Sequence, residues 1–258
     1  MLKLQTETSL SSRKNRYTVS VARSSREVEE AQRLRHQVFF EEMGATPASA
    51  NQELDVDEYD RDCDHLIVRD QESLQVVGCY RIMHPEVARR RGAFYSDSEF
   101  DLARLNHLRG RIAEVGRACI HPDYRAGSVI MLLWSGLARV VVESGHEYAI
   151  GCASISLADG HANAVAVYRE SAAKCLAPAE YRVFPKNPYP LRELRAIESI
   201  TPPRVPPLLK GYMRLGAWIG GEPAWDPNFN TADLFILLPV ARISGTYARH
   251  FLGAEQAA

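Results

Sequence analysis

The clearest pattern of apolar and polar positions lies between residues 111 and 156. Residues 111–120 are largely apolar, as expected of a buried strand, and a short polar loop follows over residues 121–127. The next apolar stretch predicts a helix over residues 128–143, and another predicts a strand over residues 147–155. This part of the chain therefore predicts a strand–helix–strand unit at the centre of the fold.

The elements on either side of this unit complete an α/β (α+β) pattern. Ser24 and Glu27 can form a capping box for a helix that reaches about residue 42, and residues 65–69 and 75–83 predict a hairpin. The other predicted elements are a strand over residues 17–22, a helix over 161–174, a strand over 181–184, a helix over 208–219 and a strand over 233–238 that enters the same sheet.

Length and composition favour one domain with an extension. The chain has 258 residues, of which 46% are apolar, so it can bury a sizeable core. A stiff proline-rich connector covers residues 201–207, and no independent core follows it. The predicted parts are a flexible lead-in at residues 1–16, a core at 17–200 and a helix–strand elaboration at 201–258, packed on the same domain.

Charge and cysteine content exclude several classes of protein. The formal net charge of −1 argues against a nucleic-acid binder driven by overall charge. Residues 1–16 lack the apolar region of a signal peptide, and the longest apolar runs are too short to cross a bilayer, so we expect a cytoplasmic protein. The five scattered cysteines fit reduced cytosolic thiols. No metal motif or serine-hydrolase elbow is found, and Cys63 with His65 is not expected to bind a metal.

Two charged residues interrupt the first strand of the central unit. Glu114 and Arg117 lie in an apolar segment, where a charge is costly unless it is paired or used. A spacing of three places them on opposite faces of a regular strand, but Gly116 lies between them, and glycine within a strand often marks a bulge. An extra residue there would bring both side chains to one face. The pair is then either an internal site or a buried ion pair.

The helix that follows begins in a way that suits an anion. Arg125 and Gly127 precede Ser128, a plausible N-cap, and no acidic residue occupies the first turn. The free N–H groups and the positive end of the helix dipole therefore remain open to an anion such as a phosphate.

The strand, the Arg-x-Gly loop, the helix and the second strand resemble the donor-binding core of the GNAT acyltransferases. The resemblance implies a GNAT fold, a mixed central sheet flanked by helices, in which the family's fourth and fifth strands splay apart and admit the pantetheine arm. Arg125 lies two residues before Gly127, and Val129 replaces a small residue, which favours the single phosphate of an acyl carrier protein over coenzyme A. No separate cofactor is implied. The residues assigned to the donor phosphopantetheine are Cys119, Ile120, Arg125, Gly127 and Ser128.

Five further residues fall in the order and spacing of the acyl-homoserine-lactone synthases, a GNAT branch. They are Arg35 and Phe39 on the first helix, Asp57 and Asp60 in an acidic loop, and Arg81 in a strand. The resemblance assigns them to substrate binding and Glu114 and Arg117 to catalysis. That family's tryptophan after the first helix is absent here, which argues against S-adenosylmethionine as substrate. From the residues alone, Arg35 either extends its charged end to solvent or guards a cleft, and the acidic loop either is a solvated face or binds an amine.

A closer resemblance covers nearly the whole chain and points to the bacterial ornithine N-alpha-acyltransferases. It includes the Glu-Val-Gly-Arg strand, His121-Pro-Asp-Tyr-Arg, Gly151-Cys-Ala-Ser-Ile and the tail from Pro223 to Asp233. The family implies transfer of a 3-hydroxyacyl chain from acyl carrier protein to the α-amine of ornithine, giving lyso-ornithine lipid. A lipophilic product also suggests transient contact with the inner membrane.

A basic stretch precedes the central strand and is either solvated surface or a docking site for an acidic carrier protein. We favour docking, because the implied donor is such a protein. The stretch comprises Arg89, Arg90, Arg91, Arg104 and Arg109.

The mechanism predicted from these residues needs a base, because the attacking amine arrives protonated. Glu114 is the candidate base, Asp57 and Asp60 are expected to hold ammonium groups, and Arg35, Arg81 or Arg117 would bind the acceptor carboxylate. Asp226 and Asn230 are interpreted as turn formers. Two alternatives remain: acylation of glutamine, tyrosine or glycine, and a non-catalytic module that binds lipid or carrier protein.

Overall fold

The structure is a computed structural model and describes residues 16–46, 53–125, 127–192, 194 and 202–243. The α-helices are α1 (Ser25–His36), α2 (Pro85–Arg91), α3 (Ser128–Glu143), α4 (His161–Cys175) and α5 (Pro207–Arg214). The strands are β1 (Tyr17–Val21), β2 (Asp64–Asp70), β3 (Val76–Met83), β4 (Phe100–Asp101), β5 (Ile112–Ile120), β6 (Tyr148–Ser156), β7 (Phe184–Pro185), β8 (Trp218–Ile219), β9 (Ala224–Asp226) and β10 (Thr231–Pro239).

The main sheet is mixed and runs in the order β1-β2-β3-β5-β6-β10-β8, with β9 paired to β10. Every pairing is antiparallel except that of β5 with β6. A parallel pair needs a crossover, and here α3 provides it. The expected α/β fold with a mixed sheet is thus confirmed.

Alternation along the strands places two different layers on the two faces of the sheet. One face carries α3, whose Val129 and Leu133 pack on Leu66, Tyr80 and neighbours, together with α4 and α5. The other carries α1, where Ala31, Leu34 and Val38 pack on Cys79 and Cys119, and α2 with the segment that contains Phe94 and Phe100. We call these the α3 face and the α1 face.

β5 and β6 separate soon after they meet. Their pairing is limited to Ile112–Tyr148, Ala113–Ala149 and Glu114–Ile150, although both strands continue for six more residues. Beyond that point a Cβ on Gly151 would lie 2.2 Å from the carbonyl oxygen of Val115, so the strands make their last close approach there. The expected splay is confirmed, with β5 and β6 as the family's fourth and fifth strands.

The C-terminal strand belongs to the same sheet, as expected. Each residue of β10 pairs antiparallel with β6, from Thr231 opposite Ser156 to Pro239 opposite Tyr148. Its pairing with β6 fixes the position of the loop before it, which covers the wide end of the gap. The predicted lead-in lies outside the described residues except Arg16, whose guanidinium pairs with Asp70 at 3.0 Å.

Several local predictions were wrong. Residues 181–184 do not form a strand: a 3-10 turn ends at Tyr181, and only Phe184–Pro185 pairs, with Phe100–Asp101. The helix expected over 208–219 ends at Arg214, because Trp218–Ile219 pairs with β10 instead. By contrast, the first helix does reach Glu42, as predicted, and its last part, Gln37–Glu42, is a π-helix.

Among the described residues, no helix is both long and apolar enough to cross a bilayer.

Candidate active site

The separation of β5 and β6 opens a cavity of about 480 Å³ that passes through the sheet. Its walls differ in chemistry between the two faces. The α3 face contributes mainly apolar and aromatic side chains: Tyr80, Leu133, Leu208, Leu209 and Tyr212. The α1 face contributes mainly polar and charged ones: Arg81, Tyr95, Glu99, Glu114, Arg117 and Asp233. The cavity therefore joins an apolar half to a charged half.

Glu114 lies at the narrow end of the gap, in a strand position that points to the α1 face. Only 5% of the residue is exposed. Its carboxylate accepts hydrogen bonds from the backbone N–H groups of Tyr95, at 2.6 Å, and Ser96, at 2.7 Å, and from the Ser96 hydroxyl. Burial nevertheless raises its pKa. A carboxylate with a raised pKa is a better proton acceptor near neutral pH.

Arg117 reaches the same face because β5 contains a bulge. Cys79 pairs with Cys119 and Arg81 with Gly116, so β5 has one residue more than β3 in this interval. Arg117 itself adopts φ of 49°, which places the bulge there and not at Gly116. Its guanidinium lies 5.7 Å from the ring of Tyr95, whose N–H binds Glu114. The bulge thus brings both side chains into the cavity, as the spacing argument required.

Glu114 and Arg117 do not form the ion pair considered as an alternative. Arg117 pairs instead with Asp57, Nη2 to Oδ2 at 3.1 Å. Its Nε lies 3.5 Å from Asp55 Oδ2 but makes no hydrogen bond. The Nε–H group of Arg117 is therefore buried without a hydrogen-bond acceptor among the described residues.

The acidic loop is tied to three arginines. Arg35 binds Asp55 at 2.7 Å and both oxygens of Asp60 at 2.9 and 2.8 Å. Arg81 binds Asp57 at 2.5 Å and Asp60 at 2.8 Å. Hydrogen bonds and charge from these arginines lower the pKa of Asp60 despite its burial. The three carboxylates of the loop are therefore matched by three guanidinium groups.

The five residues expected to bind substrate are not equally placed. Arg81 and Phe39 line the cavity, whereas Arg35, Asp57 and Asp60 do not. Arg35 is 1% exposed, so it neither extends to solvent nor guards the opening; it anchors the acidic loop to α1. The roles of Asp57 and Asp60 toward an ammonium group stay predictions.

Phe39 enters the cavity from the π-helix. The wider π turn shifts the side chains that follow α1, and π turns often occur at functional sites. The ring of Phe39 contacts Phe229 edge-on at 6.1 Å, and Phe229 also lies 5.1 Å from the Arg117 guanidinium. These contacts hold the loop before β10 over the charged half of the cavity.

On the donor side, Cys119, Ile120 and Arg125 line the cavity and Gly127 and Ser128 lie beyond its edge. Gly127 is the N-cap of α3, with φ of 105°, and Ser128 does not cap. No acid occupies the first turn. Arg125 binds Glu42 through both nitrogens, at 2.6 and 2.7 Å. A phosphate at this helix start would have to compete with Glu42 for Arg125.

A second, apolar recess of about 80 Å³ extends from the gap beneath α3. It shares Val115, Cys152 and Tyr212 with the main cavity. Its other walls are aliphatic or aromatic, including Trp134, Leu137 and Ile236. This recess suits a hydrocarbon chain.

The basic stretch lies at the other end of β5 from the helix start. α2 begins two residues after Met83, which pairs with Glu114, whereas the loop to α3 leaves from Ile120. Within the stretch, three arginines are engaged locally: Arg91 with Glu58 and Asp62, Arg109 with Asp97, and Arg104 with the Ala179 carbonyl. Arg89 and Arg90 are exposed.

Three acidic residues of the cavity were not identified from the sequence as a site. Glu99, Asp226 and Asp233 each have a carboxylate oxygen, and these oxygens lie within 4.8 Å of one another. Asp226 does form a turn, as expected, because its Oδ1 accepts the N–H groups of Asn228 and Phe229. Asp233 had a usable signal, since it is an acid in an otherwise apolar central strand, as Glu114 is.

The comparisons with known proteins agree with this architecture. The Acetyltransferase (GNAT) domain family matches residues 34–135. The crystal structure of the AHL synthase LasI aligns with 92% of this chain over 95% of its own length, with a TM-score of 0.53 and 13% identity. The structure of FeeM, an N-acyl amino acid synthase from uncultured soil microbes, aligns with 88% of this chain over 92% of its own length, with a TM-score of 0.52 and 14% identity. The protein thus has the fold of the GNAT acyltransferases.

Sequence relatives narrow the class. The L-ornithine N(alpha)-acyltransferase of Rhizobium meliloti (strain 1021) is 36% identical over 91% of this chain and 83% of its own. The enzyme of the same name from Brucella abortus (strain 2308) is 38% identical over 92% of this chain and 89% of its own length. The chain belongs to the L-ornithine N(alpha)-acyltransferase family.

Proposed function

We propose that this protein transfers a (3-hydroxy)acyl chain from acyl carrier protein to the α-amine of L-ornithine and so forms lyso-ornithine lipid. The observation that carries the proposal is the cavity through the sheet, which is apolar on the α3 face and charged on the α1 face. The relatives named above support ornithine as the acceptor. Release of the lipophilic product into the inner membrane is part of the proposal.

The α3 face is proposed to bind the donor. The pantetheine arm enters along the unpaired part of β5, past Ile120 and Cys119, with its phosphate at the start of α3. The acyl chain then extends into the apolar recess beside Trp134. A single phosphate needs fewer N–H groups than a pyrophosphate, which favours carrier protein over coenzyme A.

The chemistry is direct acyl transfer. Glu114, alone or through a water, takes a proton from the α-ammonium group. The amine nitrogen then bonds to the thioester carbon and the carbon–sulfur bond breaks. The pantetheine thiolate leaves and takes up the second proton that the nitrogen loses as the amide forms. Backbone N–H groups at the bulge, around Arg117 to Cys119, would stabilise the oxyanion.

The test is an assay with purified full-length chain, acyl carrier protein loaded with a 3-hydroxyacyl group, and ornithine. Mass spectrometry should show an N-acylated ornithine, and the same acyl group supplied on coenzyme A should react more slowly. Glutamine, tyrosine and glycine are offered in parallel. A clear preference for one of these, or no product with any acceptor, would refute the proposal.

Glu114→Gln tests the proposed base within the same assay. We expect kcat to fall on the order of 100-fold or more, the usual contribution of a general base. Ser96→Ala is the matched control, because it removes one hydrogen bond to Glu114 and leaves the carboxylate. A Glu114→Gln enzyme as active as the Ser96→Ala enzyme would show that Glu114 only organises residues 95–96.

A further inference from the structure

One wall of the charged half of the cavity carries three carboxyl groups. Glu99, Asp226 and Asp233, which we call the acid trio, come from three separate segments: the turn before β4, the end of β9 and β10. Their oxygens lie within 4.8 Å of one another, and all three side chains line the cavity. Placing three carboxyl groups this close together is unfavourable unless a positively charged group binds between them.

Independent buried groups point into the same space. Asp233 is 3% exposed and Thr231 is 1% exposed, and as alternate residues of β10 they share a face. Asp233 Oδ1, Thr231 Oγ1 and Glu99 Oε2 are buried and make no hydrogen bond of good geometry within the described part of the chain, although Asp233 interacts with both Thr231 and Glu99. Buried polar atoms are nearly always satisfied, so these atoms have hydrogen-bonding capacity that a ligand can use.

The balance of charge separates the trio from the acidic loop. In the loop, three aspartates face three arginines. Around the trio, the two arginines that line the same half of the cavity, Arg81 and Arg117, are paired with the acidic loop instead. Burial raises the pKa of Glu99 to about 9 and that of Asp233 to about 6, as expected of carboxyls without a cation.

The opposite wall carries guanidinium groups, which are also paired with Asp57 of the acidic loop. Arg117 and Arg81 line it, and Arg117 Nε is the donor without a partner. Tyr95 lies beside Arg117, at 5.7 Å, and its hydroxyl also senses the charges of Glu99 and Asp233. An α-amino acid with a cationic side chain has matching charges, with a carboxylate at one end and an ammonium group at the other.

We propose that the acid trio binds the side-chain ammonium group of the acceptor, while Arg117 binds its carboxylate. The α-amine then lies between them, near Glu114. This assignment rests on the proposed function and names the residues that select a cationic acceptor. It takes that role from Asp57 and Asp60, whose charges are already matched. An ammonium group, with three donors, can bond to three carboxyls at once.

The experiment measures acceptor binding by calorimetry, without donor, on the full chain. The two probes are ornithine and norleucine, which replaces the side-chain ammonium group with a methyl group. We expect the wild-type protein to bind ornithine at least ~10-fold more tightly, and Asp233→Asn to weaken ornithine by ~10- to 100-fold while changing norleucine less than about twofold. Glu99→Gln, on a different segment, should give the same pattern.

Asp70→Asn is the matched control, because Asp70 is a buried carboxylate on β2 outside the cavity. It is expected to lower stability and leave the ratio of the two affinities unchanged. Equal affinities in the wild-type protein, or equal losses for both probes in Asp233→Asn, overturn the proposal. So does binding of Mg²⁺, Mn²⁺ or Ca²⁺ that depends on Asp233 while the affinity ratio stays as in wild type, since the trio would then be a metal site.

Turnover measured on the same samples separates this inference from the proposed function. If the wild-type protein acylates ornithine but the ratio of ornithine to norleucine affinity is unchanged in Asp233→Asn, the role of the trio is refuted and the proposed function stands. Selective ornithine binding that is lost in Asp233→Asn, without acylation of ornithine by the wild-type protein, supports the trio and refutes the function.

Discussion

The Glu99 side chain should make the stability of the protein depend on pH. Its pKa rises from 4.5 to about 9, first because of burial and then because of Asp233 and Asp226, with Cys152 also facing it. Between these two values the folded protein keeps a proton that the unfolded chain releases. The free energy of unfolding therefore falls as pH rises through this range.

Glu99→Gln is expected to remove this dependence. A difference of one bound proton lowers the free energy of unfolding by about 1.4 kcal/mol per pH unit. Between about pH 6 and about pH 8, the free energy of unfolding of the wild type should therefore fall by this amount per pH unit more than that of the variant. Urea unfolding at several pH values measures it. Glu29→Gln, an exposed position on α1, is the control and should keep the wild-type slope. Identical slopes for wild type and Glu99→Gln would contradict the assignment.

Cys119 should be dispensable for turnover. Burial raises its pKa well above the ordinary value, and its Sγ lies 3.5 Å from Cys79 Sγ, so the thiol is neutral and a poor nucleophile. We expect Cys119→Ala to keep kcat within about threefold, since direct transfer needs no acyl-enzyme. Steady-state kinetics, with Cys175→Ala as control, and mass spectrometry of the protein check this. An acyl adduct on Cys119 would refute direct transfer.

At the residue scale, the sequence is informative where a charge interrupts an apolar run. Glu114 and Arg117 stood out for this reason, and Asp233 carries the same signal. Glu99 does not, because its neighbours are polar and its environment is created by β9 and β10, more than a hundred residues away. Long-range packing of this kind leaves no local pattern.

At the scale of elements, the gap between β5 and β6 depends on one close contact. At Gly151 the two backbones approach so closely that any side chain would meet the Val115 carbonyl. A backbone oxygen cannot move aside as a flexible side chain can. The width of the gap is thus set by glycine at its narrow end, where the thioester is proposed to react.

Gly151→Ala is therefore expected to force the strands apart. Overpacking of this kind costs about 1–3 kcal/mol of unfolding free energy. Displacement of the reacting groups by about 1 Å would also lower kcat/KM on the order of 100-fold. Gly110→Ala serves as control, because nothing lies within 4 Å of its added Cβ, and it should change stability by less than about 0.5 kcal/mol. Equal stabilities of the two variants would refute the contact.

The elements themselves were largely predictable, and the exceptions have physical causes. α3 has the expected bounds, because a long apolar stretch with a glycine before it signals a helix clearly. The bulge lies at Arg117 and not at Gly116, since pairing of Arg117 with Asp57 holds a strained backbone that glycine would adopt freely. α5 stops early because Trp218 and Ile219 find partners in β10.

At the scale of the whole molecule, the donor entrance and the basic stretch are far apart. The start of α3 and the start of α2 are separated by the part of β5 between Glu114 and Ile120, roughly 20 Å at the rise of a strand. The pantetheine arm enters at the α3 end in our proposal. The earlier expectation of docking at Arg89, Arg90, Arg91, Arg104 and Arg109 therefore needs a direct test.

Charge substitutions at the two ends provide that test. We expect Arg89→Ser with Arg90→Ser to change KM for the acyl carrier protein less than about twofold, because exposed charges this far from the entrance are largely screened at physiological salt. Arg125→Ser should raise this KM several-fold and reduce its dependence on salt. A larger rise in KM for the Arg89→Ser, Arg90→Ser variant than for Arg125→Ser would show that the carrier protein docks on the basic stretch. Unchanged melting temperatures serve as the control for folding.

The overall architecture could be inferred from the order of elements, since a strand, crossover helix and parallel strand define the centre of a mixed sheet. The acceptor site could not, because it is assembled from the turn before β4, β5, β9 and β10. Only the three-dimensional structure shows which of the many acids and arginines are matched to each other and which remain for a ligand.

The passage of the cavity through the sheet has a consequence for the product. The acyl tail and the amino-acid head would be joined while they lie on opposite faces of the sheet. The new lipid would therefore pass through the opening between β5 and β6. One end must be drawn back across before the next cycle. Departure of the finished molecule is then a separate conformational step of each turnover, in addition to bond formation.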